Sequence, residues 1–352
     1  QPVTGLLADR WSRKWIMVVS NFIQVFLALS FLMVDGPEDL WWLIGISGLM
    51  MLLHGAYITA ERAAMPNIVA ENELATANAL GSATWSTALA MGAFIGGIVV
   101  TEYGVEVAFI VDSITFLIGA LILLPLAIPQ EVNEDMKGPL FSTAFTNIKR
   151  GLSRLISEPR LKRIVFAKTT WNLAGGGLAA VFLVLAGSRM TPGEIASGIG
   201  LFFMARGIGT GVGPIIARKY LTDEKKWPAL IGILVSTSGF FYLIIGLTLF
   251  ENLYLTIGLV IIAHAASGAN WVLSTILTQK WVEDEVRGRV FSIDMLLMSV
   301  SFSFSTFIAG WLLDNTDLTL KMGMIYFSCA MMVFGIIFTM WKADEPLQQR
   351  SS

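Results

Sequence analysis

Residues Thr4–Lys14 read TGLLADRWSRK, and Trp15–Val34 follow as WIMVVSNFIQVFLALSFLMV. Asp9, Arg10, Arg13 and Lys14 crowd the first stretch, and the twenty residues behind it carry no charge. About 20 apolar residues at 1.5 Å rise each cross the hydrocarbon of a bilayer. The charged edge is then where the chain leaves the hydrocarbon for headgroups and water.

The composition agrees. Of the 352 residues 55% are hydrophobic and only 14% are charged, where a soluble domain carries roughly 25% charge. Most side chains must therefore meet something other than water. A single cysteine, Cys329, excludes an internal disulfide framework and any multi-cysteine metal site. The net charge of −2 gives no reason to expect a nucleic-acid partner. No signal peptide is legible, since Gln1–Leu7 lacks a basic leader and a cleavage site. The start reads as a truncation, with QPVTGLL as the last turns of a helix whose beginning is missing.

Ten stretches are long and apolar enough to span: 15–34, 40–60, 75–101, 107–128, 163–186, 194–217, 228–250, 253–278, 290–313 and 321–341. They are too long for strands and lack period-2 alternation. Basic residues give the orientation. Arg10, Arg13, Lys14, Arg62, seven bases between 129 and 163, Arg218, Lys219, Lys225, Lys226, Lys280, Arg287, Arg289, Lys342 and Arg350 fall on one face. The other face has Arg189 and Lys321, while Lys168 and Arg206 lie within spans. The 129–162 linker and the C-terminus are thus expected to be cytoplasmic, in a cell inner (plasma) membrane. Within the linker, Phe141, Phe145, Ile148, Leu152, Leu155 and Ile156 at helical spacing predict an amphipathic helix on the inner membrane surface. Eight of the eleven Trp lie at segment ends, as interface anchors do.

The halves repeat. Val69, Glu71 and Gly97 correspond to Val282, Asp284 and Gly310 at an offset of 213, and the two histidines, His54 and His264, sit 210 apart. A parallel repeat joined by a basic linker is a transporter architecture.

The opening stretch now resembles the cytoplasmic loop motif between helices 2 and 3 of the major facilitator superfamily, matching at Gly5, Asp9, Arg10, Arg13 and Lys14, with Ser12 where that motif usually has glycine. PNIVAENELATANAL, before the family's fifth helix, resembles the branch of macrolide, enterobactin and lysophospholipid exporters. The resemblance implies an all-α multi-pass membrane protein with two pseudo-symmetric six-helix halves, helix 1 and most of helix 2 missing. Residues 1–128 would be the N-terminal half, 129–162 the linker, 163–341 the C-terminal half and 342–352 a tail. GAFIGG, with Gly92, Gly96 and Gly97, is similar to the antiporter motif of the fifth helix, but Ala93 replaces its proline. The arginine-bearing motif that many antiporters carry in the fourth helix is not visible; His54-Gly55 stands in that neighbourhood.

A charge within a bilayer costs roughly 2.5–3.5 kcal/mol at mid-depth, so each needs a reason. Arg206 falls near the midplane and reads as an anion or substrate partner, or as half of a structural ion pair. His54 and His264 read as a cavity pair able to carry protons or bind substrate, or as packed histidines bonded to carbonyls. Asp112 reads as a coupling acid or a charge near the outer surface. Trp171 and Asn172 precede Gly175–Gly177, which suggests a loosened cavity helix or close packing; Asn270 is a further cavity candidate. Lys168 is expected to snorkel to the headgroups, and Asp294 to cap a helix or pair with inner-loop bases. GIGTGVG (207–213) is not a nucleotide loop, because no strand precedes it; Gly207/Gly211 and Gly209/Gly213 fit small-residue helix packing. Glu71, Arg289 and the loop motif would form a cytoplasmic gate.

No His/Cys/acid cluster or nucleophile–base constellation is legible, so no metal, cofactor or catalytic residue is expected. The expected activity is secondary active export of an amphipathic small molecule (drug-like, macrolide or siderophore) by alternating access, with a proton as the candidate coupling ion. The alternatives are a lysophospholipid flippase or uptake carrier of the same fold and, in another class, a non-transporting sensor or scaffold. Lipid contact and a monomeric state complete the expectation.

Overall fold

The computed structural model describes residues 11–70, 73–129, 140–191, 194–248, 252–282 and 284–341. Among them it contains helices and no strand, and ten helices are long and apolar enough to cross a membrane. In lipid every backbone polar group needs a partner within its own segment, and an unbroken helix supplies all of them. The chain divides into two compact units, Gln1–Ser82 with Ile98–Ile148, and Ala83–Gly97 with Lys149–Ser352.

The first unit holds α1 (Arg13–Ser30), α2 (Leu40–Ile68), the ends of α3 (Leu74–Tyr103) and α4 (Val105–Leu123). Ser12 caps α1 by accepting from the Trp15 amide. Met17, Ser20, Asn21, Gln24 and Ala28 recur every three or four residues and are buried. Ser113 of α4 donates to the Val25 carbonyl across 3.2 Å. A Cβ at Gly119 would lie 2.9 Å from the Asn21 amide nitrogen, so α1 and α4 approach closely where the glycine sits. Gly104 joins α3 to α4 at φ +90°, a conformation that glycine adopts without strain.

The second unit carries the middle of α3 and the later part of α5 (Leu140–Ser157). It continues through α6 (Pro159–Gly177), a π-turn (Leu178–Phe182) and α7 (Leu183–Met190), which together form one span. Then come α8 (Ile195–Tyr220), α9 (Trp227–Thr248), α10 (Leu253–Trp281), α11 (Asp284–Asn315) and α12 (Leu320–Met340). Asn252 and Thr319 cap α10 and α12 with their side-chain oxygens. The expected amphipathic helix is α5. Leu155 is buried, and Gly151 abuts the Arg289 carbonyl at the start of α11; Phe145 and Ile156 are exposed.

Helix α8 has two glycine faces. Gly207 and Gly211 meet Ala90 and Ser86 of α3, and Gly200 meets Ala93. Gly209 and Gly213 meet Ile261, His264 and Ala265 of α10, while Gly268 of α10 abuts the Thr210 carbonyl. Helices surrounded by lipid have little hydrophobic reason to associate, so small residues that admit close backbones supply the packing. The two glycine pairs therefore serve two different neighbours.

Gly213→Ala places a methyl group inside the Ala265 carbonyl's contact radius. We expect it to cost about 1–3 kcal/mol and to lower the thermal midpoint of the purified protein. Gly258→Ala on α10, where a Cβ meets nothing within 4 Å, should leave the midpoint unchanged; equal effects would remove the packing account.

Candidate functional site

The polar groups buried in the second unit gather between α6 and α8–α11. Pro159 opens α6, where its missing N–H costs nothing. Arg163 donates to the Phe338 and Thr339 carbonyls at the end of α12 (2.8 and 3.1 Å), tying the two helices together. One turn onward Lys168 pairs with Asp294 of α11, and the two side chains are only 2% and 1% exposed. The Lys168 ammonium also lies 5.7 Å from the centre of the Trp271 ring. Lys168 thus does not snorkel: its buried carboxylate partner is a shorter reach than the headgroups, and Asp294 is committed to that pair rather than to loop bases.

Trp171, one turn beyond Lys168, meets His264 edge-to-face at 6.1 Å. His264 Nε2 shares a 2.7 Å hydrogen bond with the Tyr242 hydroxyl of α9, and both side chains are 0% exposed. Arg206, midway along α8, acts electrostatically on Tyr242 and His264 and lies 5.7 Å from the Phe203 ring centre. Its side chain is partly buried. Among the described residues no carboxylate pairs with it, and its Nε has no partner. The Trp171 Nε1, His264 Nδ1 and Asn270 Oδ1 atoms are likewise buried without partners. A buried polar atom left without any partner costs about 1–3 kcal/mol.

The glycines of α6 explain how the helix comes so close. Gly176 abuts the Phe302 carbonyl of α11, and Gly177 abuts Ala309 of α11 and Phe327 of α12. The Gly177 amide donates to Ser305 Oγ at 2.9 Å. The π-turn Leu178–Phe182 begins directly afterwards. The glycines therefore serve close packing, and a π-turn follows them in the same span.

Trp171 meets His264, Arg206 acts electrostatically on that histidine, and Asn270 lies buried on α10. Asn172 points instead to its own helix, donating to the Lys168 carbonyl at 3.0 Å. His54 and Asp112 are exposed side chains of the first unit, so His54 shares none of the burial of its repeat counterpart His264. Gly97 abuts the Ala196 carbonyl of α8, whereas a Cβ at Gly92 or Gly96 meets nothing within 4 Å. Of the loop motif, Arg13 donates to the Ala63 carbonyl at 2.7 Å and Lys14 lies over the Trp15 ring at 5.9 Å. Gly5, Asp9, Arg10 and Glu71 lie outside the described residues. Arg289 is partly buried, and its carbonyl receives α5 at Gly151. Sequence reasoning missed Tyr242 and the Lys168–Asp294 pairing. A lone phenol in the middle of the apolar segment 228–250 was the available signal for the first. Two apolar grooves of about 310 Å³, one bordered by Phe240 and Met332 and one by Phe304 and Phe327, include none of Trp171, Arg206, Tyr242, His264 and Asn270.

Removing one member of a buried ion pair strands the other, at a cost of about 3–5 kcal/mol, whereas replacing both is often neutral. Asp294→Leu should therefore lower the thermal midpoint sharply, and Lys168→Met with Asp294→Leu should recover most of it. Tyr242→Phe should cost about 1–3 kcal/mol by orphaning His264 Nε2, read in the same melt.

Comparison with known proteins accords with this architecture. The sequence profile described as Major Facilitator Superfamily matches residues 1–192 and 196–352. The MFS-type transporter YfiS of Bacillus subtilis (strain 168) is 26% identical over 305 residues, covering 82% of this chain and 69% of that protein. The putative bacilysin exporter BacE of the same strain is 24% identical over 301 residues, covering 83% and 71%. Among solved structures, a POT family transporter in complex with 5-aminolevulinic acid aligns with a TM-score of 0.70 at 12% identity, over 95% of this chain and 82% of that one. An inward-facing bacterial homologue of the human lysosomal transporter Spinster gives 0.64 at 16%, over 95% and 84%. The loop-motif resemblance, the ten spanning helices and the profile match across nearly all of the sequence lead to one assignment: the chain belongs to the major facilitator superfamily.

Proposed function

We propose that this protein is a secondary active transporter that exports an amphipathic small molecule across the inner membrane by alternating access. The observation that carries the reading is Arg206. A guanidinium stays charged at any physiological pH, and this one sits in the middle of a spanning helix with no acid paired to it among the described residues. Such a residue is costly in lipid unless something else meets it, and intramembrane ionisable groups mark substrate or ion pathways. Phe203, whose ring lies 5.7 Å from the guanidinium, and the Trp171 and Tyr242 rings that pack against His264 suit the apolar part of an amphipathic solute.

The likeness to a putative exporter supports outward movement. Two pseudo-symmetric halves would rock about a midplane site and open it to each side in turn, with a proton gradient as the energy source. Trp171, Arg206, His264 and Asn270 form the substrate-facing wall of the C-terminal half in this reading. Arg13, Lys14 and Arg289 belong to the cytoplasmic gate, and the linker and C-terminus face the cytoplasm.

Reconstitution of the full-length protein in liposomes under an imposed pH gradient tests this. Substrate movement should follow the gradient and should fall at least about tenfold in Arg206→Ala, the loss expected for one charged contact of about 1.4 kcal/mol or more. Movement indifferent to the gradient removes proton antiport. Undiminished movement in the variant removes Arg206, and no movement of any compound by folded protein favours the sensor or scaffold.

A further inference from the structure

We infer that the second unit recognises an amphipathic monoanion, whose oxyanion head is held by Arg206, Trp171 and His264. The inference rests on the transporter reading and narrows its substrate class. It starts from a count of donors and acceptors. Arg206 Nε and Trp171 Nε1 can only donate, and neither has an acceptor among the described residues. The hydrogen bond between Tyr242 and His264 Nε2 bears on the third group. We assign the Tyr242 O–H as the donor to Nε2, since no other acceptor for it is found among the described residues; that assignment puts the ring proton on Nδ1, which has no partner among them. Three side chains from α6, α8 and α10 thus present N–H groups without acceptors, and a carboxylate, with two oxygens and about four lone-pair sites, is the complement they lack.

The charge count sets the head at one negative charge. Lys168 is already neutralised by Asp294. The cluster is left with the single positive charge of Arg206, since neutral His264 adds none. One negative charge balances it; a dianion would strand a second charge away from water, and a cation would face Arg206 with nothing to oppose it. The guanidinium edge bearing Nε is one of those that can bind a carboxylate through two parallel N–H groups. Phe203 lies beside the guanidinium and Trp171 beside His264, and their rings offer apolar surface for the body attached to the head. His264 and Tyr242 are fully buried while Arg206 is partly exposed, so the arginine is the first of the group that a ligand meets.

The test measures equilibrium binding to the full-length protein in nanodiscs of zwitterionic lipid. The probes are three fluorescent solutes: N-dansyl-leucine (a carboxylate), its methyl ester (neutral) and dansylcadaverine (a cation). The carboxylate should bind saturably and at least about tenfold more tightly than the ester, and the cation should not compete with it. Arg206→Gln should erase the preference and Arg206→Lys should retain part of it. Trp171→Phe, which keeps a ring and removes only the N–H, should weaken the carboxylate about three- to tenfold and leave the ester unchanged. It serves as the second reading if Arg206→Gln is not monodisperse. Lysophosphatidylglycerol as competitor separates two sources of the same chemistry: displacement assigns a lipid headgroup among the ligands, and none confines the site to soluble anions. Equal affinities for acid and ester, absence of saturable carboxylate binding, or a preference that survives both Arg206→Gln and Trp171→Phe would overturn the inference. Liposome transport read on the same protein keeps the two ideas apart: anion-selective binding without transport removes the transporter and leaves the anion site.

Discussion

The second unit depends on how closely α8 can approach its neighbours. A lipid-embedded helix gains little from burying apolar side chains against another helix, because lipid tails are as apolar as leucine. What remains is contact, and α8 obtains it with glycines on two faces, one toward α3 and one toward α10. Gly209 lies against His264 itself, so the packing that holds α8 to α10 also fixes the histidine beside Arg206. The polar cluster is therefore a consequence of the glycine seam rather than an addition to it.

A second constraint comes from charge. Lys168 and Asp294 are each costly alone in an apolar interior and tolerable together. Their pairing holds α6 against α11 and takes both charges out of the electrostatic account. Arg206 is then the one mid-span cation among the described residues for which no carboxylate partner is seen. The two cations look alike in the sequence, yet one is structural and the other is the core of the candidate site.

Much of the fold was legible because membrane solvation writes it into composition. Ten runs of apolar residues became ten spanning helices, and the amphipathic pattern of 141–156 became α5. The glycine pairs of 207–213 were legible as packing faces, since a four-residue spacing returns to the same side of a helix. Arg206, His264 and Trp171 stood out as polar or aromatic groups inside spans. Tyr242 did not, because a phenol within an apolar run is compatible with ordinary packing. The repeat also overstated symmetry: His54 and His264 correspond in sequence, but one is exposed and the other is fully buried.

By itself the sequence determined what must be a helix, which residues must lie in the membrane interior and the family to which the chain belongs. Those follow from local properties: length, hydropathy, the spacing of small residues and one charged loop. Only the tertiary structure decided partnership. That Lys168 meets Asp294 126 residues away, that Tyr242 meets His264, and that Arg206 has no acid paired to it among the described residues are facts of helix packing. No local pattern encodes them, because a helix's sequence fixes which side chains share a face and not which helix that face will meet.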